Sequence, residues 1–231
     1  MRRLLLKIRQ GLVAMRNVAR ESRLEDIDGC SGLGDSAYLL YGLVKSAKPK
    51  VVLEIGSARG RSTCAMGIAL KENGGGTVYA VDPHDRNAWS DEASADTFEV
   101  LSRNIRKFGL EQYVQILKNT SVEAARNWNL PIDILFIDGD HTYEGVKRDW
   151  ELFSRFVQPF GSVVFHVTLW ELKPEPKYFR PDIGVPRFVD ELRNEGYPVI
   201  TLARDFGVSL VQPVRHGVSL SHPGGAMASV G

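Results

Sequence analysis

Val51-Val52-Leu53-Glu54-Ile55-Gly56-Ser57-Ala58-Arg59-Gly60-Arg61-Ser62 is the stretch on which the fold class turns. An apolar run of five broken by one acid reads as a strand buried on both faces, as in a parallel sheet. Gly56 lets the chain turn sharply, and Gly60 lets backbone approach a ligand with no Cβ in the way. A helix is expected over Ser62–Lys71. The turn is not Gly-x-Gly-x-x-Gly, because Ala58 holds the middle position. A dinucleotide fingerprint needs glycine there to admit a pyrophosphate, so a cofactor without phosphates fits better. A tight strand-to-helix corner would use the same glycines.

The rhythm of strand and helix repeats on both sides of this stretch. Upstream, Ala37–Lys45 reads as a helix stopped by Lys48-Pro49. Downstream, strands are expected at Thr77–Val81, Tyr113–Leu117, Ile132–Ile137 and Ser162–Phe165. Helices are expected between them at Asp96–Phe108, Val122–Trp128 and Tyr143–Phe156, then at Arg187–Glu195. Pro198–Thr201 and Gly207–Val211 close as two strands a short turn apart, which makes them antiparallel. Such alternation implies an α/β, doubly wound, mostly parallel sheet with helices on both faces. Ligands bind such sheets beyond the carboxyl ends of the strands, so the residues just after each strand carry the chemistry.

Four strand ends stand out. Val81-Asp82 offers a carboxylate that can accept from both hydroxyls of a ribose, or can cap the next turn. Glu54 sits among apolar residues at the end of a buried strand and needs partners there. The fourth strand delivers Asp138-Gly139-Asp140-His141, in which Asp140 reads either as chemistry or as the cap of the helix starting near Tyr143. The fifth ends His166-Val167-Thr168, where the histidine is either a base or a structural hydrogen-bonding residue. The Pro-rich segment at about 169–186 reads as a lid over these ends or as a stiffened surface loop.

Composition narrows the class. The chain has 231 residues, 43% of them hydrophobic and 25% charged, which suits one ordinary globular domain and not a disordered chain. No apolar run approaches the roughly 20 residues of a membrane span, and the Leu4–Leu6 run is too short for a secretory signal. Cys30 and Cys64 form neither a zinc spacing nor a disulfide framework, so a reducing cytoplasm is the simplest home. Residues 1–23 carry a net charge of +6 and the remainder −5. Leu5, Ile8, Leu12, Met15 and Ala19 form one helical stripe in that basic segment. It reads as a helix docked on its own domain or on a second subunit of a homodimer, or as a weak contact with an anionic membrane surface. The slightly acidic body excludes a nucleic-acid role.

Glu54-Ile55-Gly56-Ser57-Ala58-Arg59-Gly60-Arg61-Ser62-Thr63, Val81-Asp82-Pro83 and Phe136-Ile137-Asp138-Gly139-Asp140-His141-Thr142-Tyr143-Glu144-Gly145-Val146 together resemble the class I S-adenosylmethionine-dependent methyltransferases. The resemblance is strongest to the bacterial methyltransferase family 24 branch and covers about residues 36–212. It implies a Rossmann-like seven-stranded sheet of order 3-2-1-4-5-7-6 with strand 7 antiparallel. It also implies S-adenosylmethionine contacts from Glu54, Gly56, Ser57, Gly60 and Ser62 to the methionine part and from Asp82 to the ribose. Thr120 and Ser121 would line the adenine pocket, and Asp138 would border the reacting centre. In catechol-type relatives the positions of Asp138 and His141 hold a divalent metal and the base. Val167 stands where those relatives place another acidic metal ligand, which removes an oxygen donor that a hard cation favours. Three consequences stay open: no metal is needed, Asp138, His141 and His166 make a softer site, or turnover is lost. The activity so implied is O-methyl transfer to a hydroxyl of a small molecule or glycan, with His141 or His166 as base. The alternatives are a scaffold that keeps the pocket without chemistry and a nicotinamide-dependent oxidoreductase. The remaining segments are then residues 1–35, a basic helix and linker, and 213–231, a tail.

Overall fold

The computed structural model describes residues 24–27, 33–85, 96–172 and 180–213. The basic stripe of residues 1–23, Cys30, the centre of the lid segment and the tail from residue 214 onward lie outside them.

Helix α1 spans Ser36–Ala47, α2 Arg61–Asn73, α3 Thr97–Phe108, α4 Ser121–Arg126, α5 Tyr143–Phe153 and α6 Val185–Asn194. Between them run β1 Val51–Ile55, β2 Thr77–Val81, β3 Val114–Leu117, β4 Ile132–Ile137, β5 Val157–His166, β6 Val199–Leu202 and β7 Val208–Val211. The strands form one sheet of order β3-β2-β1-β4-β5-β7-β6, parallel except for β7, which runs antiparallel to both neighbours. The doubly wound sheet expected from the sequence is observed, in the order that the resemblance implies. Asp133, at the start of β4, accepts from the amides of Lys50 (2.7 Å) and Val51 (2.9 Å) and sets the register at the head of the sheet.

The two-residue period of the strands divides the interior into two cores. Val52, Ile134, Phe136 and Val164 face α1, α2 and α3, whereas Leu53, Ile55, Leu135, Ile137, Val163 and Phe165 face α4, α5 and α6. Leu24, Ile27 and Leu33 are buried in the first core, so the packed body reaches upstream of residue 36. Cys64 is free and fully buried there. No helix among the described residues is long and apolar enough to cross a membrane.

Helix ends follow local chemistry. Asp96 caps α3 by accepting from the amides of Phe98 and Glu99, and Gly109 ends it at φ +61°. The first turn of α1 has no cap from its own neighbour Asp35. Instead Asp205, in the turn between β6 and β7, accepts from the Ser36 amide (2.9 Å) and the Ser36 hydroxyl (2.7 Å). Elsewhere the elements differ from the sequence expectation at their edges. The helix expected to end at Phe156 stops at Phe153 and finishes as a 3₁₀ turn over Ser154–Phe156. Strand β5 begins at Val157, five residues before the expected start, because Pro159 and Gly161 conceal an extended edge that pairs Val157 with Ile132. Helix α6 begins at Val185, since Pro186 is well suited to a first turn that needs no amide from it.

Candidate active site

The carboxyl ends of β1 to β5 open into one cavity of about 790 Å³. Its middle is the loop after β1. Gly56 has φ +89°, and a Cβ there would stand 2.2 Å from the Asp138 carbonyl oxygen. Gly60 has φ +87°, and its Cβ would meet Leu101 Cδ1 at 2.4 Å. Both glycines hold a positive φ that favours glycine, as a tight strand-to-helix corner needs, and both line the cavity. Ser57 lines the cavity beside them, and its hydroxyl is buried with no partner among the described residues.

Asp82 closes this loop from β2. One carboxylate oxygen accepts from the Ala58 amide (2.9 Å) and the other from the His84 amide (2.7 Å). The turn-capping role weighed from sequence is therefore present, and so is a tie to the β1 loop that sequence did not indicate. Each oxygen keeps a second lone pair, and the side chain remains 16% exposed at the cavity. His84 is buried against Phe98 and Thr97, and burial first of all draws its pKa down.

Glu54 lies behind the cavity wall, not on it. It is 0% exposed, accepts from the Ser62 hydroxyl, and accepts from Thr63 Oγ1 at 2.5 Å. Burial pushes its pKa up to about 8 despite those two hydrogen bonds. Of the set, Ser62 is the residue that reaches the cavity. The resemblance implies contact between Glu54 and a cofactor; in the structure Ser62 lines the cavity and Glu54 does not.

The far side of the cavity is organised by one carboxylate. Asp138 Oδ1 lies 3.1 Å from His141 Nε2 and 3.0 Å from His166 Nδ1. With hydrogen on those nitrogens, both imidazoles donate to the same oxygen. Burial alone would raise the Asp138 pKa, but charge on His166 and the two hydrogen bonds outweigh it and hold the group at about 2. His166 is 3% exposed, and its other nitrogen, Nε2, is buried without a partner among the described residues. Its ring meets the edge of Phe206, which stacks on Trp170 at 4.6 Å. All three line the cavity. Val167, between His166 and Thr168, is 2% exposed with φ +64°, a conformation that β-branched residues rarely adopt.

The loop after β4 and the helices beyond it complete the wall. Thr142 is the N-cap of α5 and accepts from the Gly145 amide, while Asp140 accepts from the Thr142 amide (3.0 Å) and pairs with Arg148 (3.4 Å). The capping assigned to Asp140 from sequence thus belongs to Thr142, with Asp140 shaping the turn before it. Thr120 caps α4 in a reciprocal box with Glu123, and both Thr120 and Ser121 line the cavity. Sequence reasoning missed Asp149, which is 1% exposed and lines the same cavity. Its signal was available: α5 buries Val146, Asp149, Trp150 and Phe153 on one stripe, and an acid in such a stripe is anomalous.

A sequence profile described as a methyltransferase domain matches residues 53–167, from the second half of β1 through the turn after β5. Residues 53–167 belong to this methyltransferase family. The methyltransferase domain therefore contains Glu54, Asp82, Asp138, His141 and His166 and ends on Val167. Tricin synthase 1 of Oryza sativa subsp. japonica is 31% identical over 141 residues, which are 59% of this chain and 52% of that protein. The chain spans between 18% and 52% of the length of the curated relatives it matches. Among solved structures, a methyltransferase from Geobacter sulfurreducens superposes with a TM-score of 0.59 at 22% identity, covering 87% of each chain. An O-methyltransferase from Bacillus cereus, solved in complex with SAH, superposes with a TM-score of 0.57 at 18% identity, covering 87% of this chain and 90% of that one. The methyltransferase domain shares their fold.

Proposed function

We propose that the protein transfers a methyl group from S-adenosylmethionine to a hydroxyl of a small molecule or glycan. The observation that carries this reading is the Asp138–His166 pair on the cavity wall, with Nδ1 committed to the carboxylate and Nε2 buried and unpartnered. The cavity suits the cofactor, since the buried Ser57 and Asp149 oxygens that line it lack partners of their own. Gly56, Ser57, Gly60 and Ser62 would hold its methionine part, Asp82 its ribose, and Thr120 and Ser121 its base. When bound, S-adenosylmethionine supplies an electrophilic methyl group on a sulfonium.

The chain's own contribution is proton management and exclusion of water. Asp138 stays ionised across the physiological range and fixes the imidazole of His166 with Nδ1–H toward itself. Nε2 is then the lone pair that takes the acceptor's hydroxyl proton, a general-base role worth about 10²–10⁴-fold. The ionised Asp138 stabilises the imidazolium that results. His141, on the same oxygen, is the second candidate for this role. Trp170 and Phe206 cover His166 with an apolar slab. A metal does not fit: the donors of Asp138, His141 and His166 point at one another, and no metal-binding cluster exists among the described residues.

The catalytic unit is residues 36–212 together with the buried Leu24, Ile27 and Leu33, in a cytoplasmic protein. The basic stripe of residues 1–23 serves attachment to a second copy or to an anionic surface. Calorimetric titration with S-adenosylhomocysteine, with NADH in parallel, tests the reading. Micromolar binding of the first alone, lost in Asp82→Ala, supports it, and absence of binding removes it. Methyl transfer across a panel of hydroxylated acceptors, with His166→Gln and His141→Gln compared, then assigns the base.

A further inference from the structure

Residues with uncommon backbone gather beside the His166 wall: Gly34 (φ +49°), Val167 (φ +64°), Asp205 (φ +52°) and Gly207 (φ +88°) all take the left-handed region. Such conformations persist where the surrounding contacts over-determine the chain. Asp205 is the link between them. Its Oδ2 accepts from the Ser36 amide (2.9 Å) and the Ser36 hydroxyl (2.7 Å), and its neighbour Arg204 pairs with Asp35. A Cβ on Gly34 would stand 2.4 Å from Asp205 Oδ1, so the segment leading into α1 is seated directly on this carboxylate. Arg61 Nε donates to the Gly34 carbonyl (3.2 Å) and ties the same segment to the head of α2.

The turn that holds Asp205 also carries a wall of the cavity. Phe206 stacks on Trp170 and meets the edge of His166. Its carbonyl accepts from the Leu169 amide (2.9 Å) and that of Gly207 from the Thr168 amide (3.2 Å), which fastens this turn to the one after β5. A Cβ on Gly207 would stand 2.5 Å from the Leu169 nitrogen, so the two turns are in close contact. On the other side of the clasp, Leu33 is 1% exposed and lines the cavity. Leu33 and Phe206, from distant parts of the chain, are therefore joined through one carboxylate that is not itself part of the lining. We propose that Asp205 is a positioning residue for the methyl acceptor: by clasping Ser36 it sets Phe206 against His166 and Leu33 across the same cavity. The inference rests on the methyl-transfer reading, in which the acceptor's hydroxyl reaches Nε2 of His166. That nitrogen is buried, so the hydroxyl approaches it beside the Phe206 and Trp170 slab. A shift of about 1 Å in such a wall is enough to cost on the order of 10²-fold in turnover.

The test is fluorine NMR of the full chain labelled with 5-fluorotryptophan. Trp170 is one of four tryptophans, and its resonance is assigned by its absence in Trp170→Phe. Phe206→Ala gives the displacement of that resonance when the slab is lost. Asp205→Gly removes the carboxylate while suiting the positive φ, and is expected to reproduce most of this displacement. Ser36→Ala removes one donor to the clasp from a residue outside the slab, and is expected to move the same resonance in the same direction. Asp205→Asn keeps an oxygen acceptor and tolerates the backbone, and should return the resonance to the wild-type position. A carboxylate that only shapes its own turn would respond to Asp205→Gly and not to Ser36→Ala, and that result overturns the proposal. A resonance unmoved by both variants overturns it too, and Ser36→Ala decides alone if Asp205→Gly does not fold. On an acceptor that the wild type methylates, Asp205→Gly should raise the acceptor KM by roughly 3- to 30-fold and change the Kd for S-adenosylhomocysteine by less than about twofold, as expected of a residue acting through packed neighbours. A fall in kcat alone, or an equal loss for both ligands, contradicts it. Failure of the wild type to bind S-adenosylhomocysteine sinks the cofactor reading itself and leaves the resonance test of the clasp standing.

Discussion

Replacing Glu54 by Gln should make the protein more stable at pH 8 and leave it unchanged at pH 4. Glu54 is wholly buried, and its pKa stands at about 8 against an ordinary 4.5. Between those two values the folded chain holds a proton that the unfolded chain has released. Stability therefore falls as pH rises through this window, by about 1.4 kcal/mol per unit. The accumulated loss from this one group is roughly 3 kcal/mol at pH 7 and roughly 5 kcal/mol once pH exceeds 8. A glutamine side chain copies the neutral acid. Its carbonyl accepts from one of the Ser62 and Thr63 hydroxyls and its amide donates to the other, since each hydroxyl can play either part. The assay is urea unfolding of both proteins at half-unit steps from pH 4 to 9, read as the difference in unfolding free energy. The difference should start near zero, grow through neutrality and level off above pH 8. A flat difference, or one that favours the wild type at high pH, refutes the picture of a neutral Glu54 held by two hydroxyls.

Three further outcomes follow from the site. Gly56→Ala would drive a methyl group onto the Asp138 carbonyl from a backbone at φ +89°, so it should destabilise the fold by about 3 kcal/mol or more and weaken S-adenosylhomocysteine binding, both measurable by thermal shift. Val167→Gly should lower stability by less than about 1 kcal/mol, because relief of the strained φ offsets the lost burial, whereas Val163→Gly, in the middle of β5, should lower it by about 3 kcal/mol; equal losses on urea unfolding would show that Val167 is unstrained. Asp138→Asn should reduce methyl transfer by about 10²–10⁴-fold without loss of cofactor binding, and addition of a chelator to the wild type should leave the rate unchanged; a chelator-sensitive rate contradicts the donor geometry.

Much of the fold was legible because buried parallel strands announce themselves. Val51–Ile55 and Ile132–Ile137 are short apolar runs bounded by turn residues, and each became a central strand. The tight link between the last two strands forced an antiparallel pair, as found in β6 and β7. What escaped was set by tertiary context. The first half of β5 reads as a loop, since Pro159 and Gly161 mask an edge whose pairing with Ile132 lies far away in sequence. Within the site, Asp82, Asp138, His141 and His166 stood at strand ends and so could be picked out. Their mutual arrangement could not be: that Asp138 holds two imidazoles on one oxygen depends on the β4–β5 register. Glu54 looked like a ligand because a buried acid seeks partners, but its partners proved to be hydroxyls in the first turn of the next helix. Asp149 was hidden inside a regular helical stripe, where only its polarity was out of place.

The Asp205 clasp on Ser36 bears on how the chain is made. Helix α1 is among the earliest described elements to leave the ribosome, yet the carboxylate that satisfies its first turn lies 169 residues downstream. At typical synthesis speeds of about 5–20 residues per second, α1 waits roughly 10–35 s for that cap. Its apolar face, with Leu40 and Val44, belongs to a core that also takes Ile134 of β4 and Val208 of β7, so that core is completed only as those strands arrive. Nascent chains halted before the β6–β7 turn should therefore be sensitive to protease around residues 36–47, and release of the turn should confer protection in a single late step.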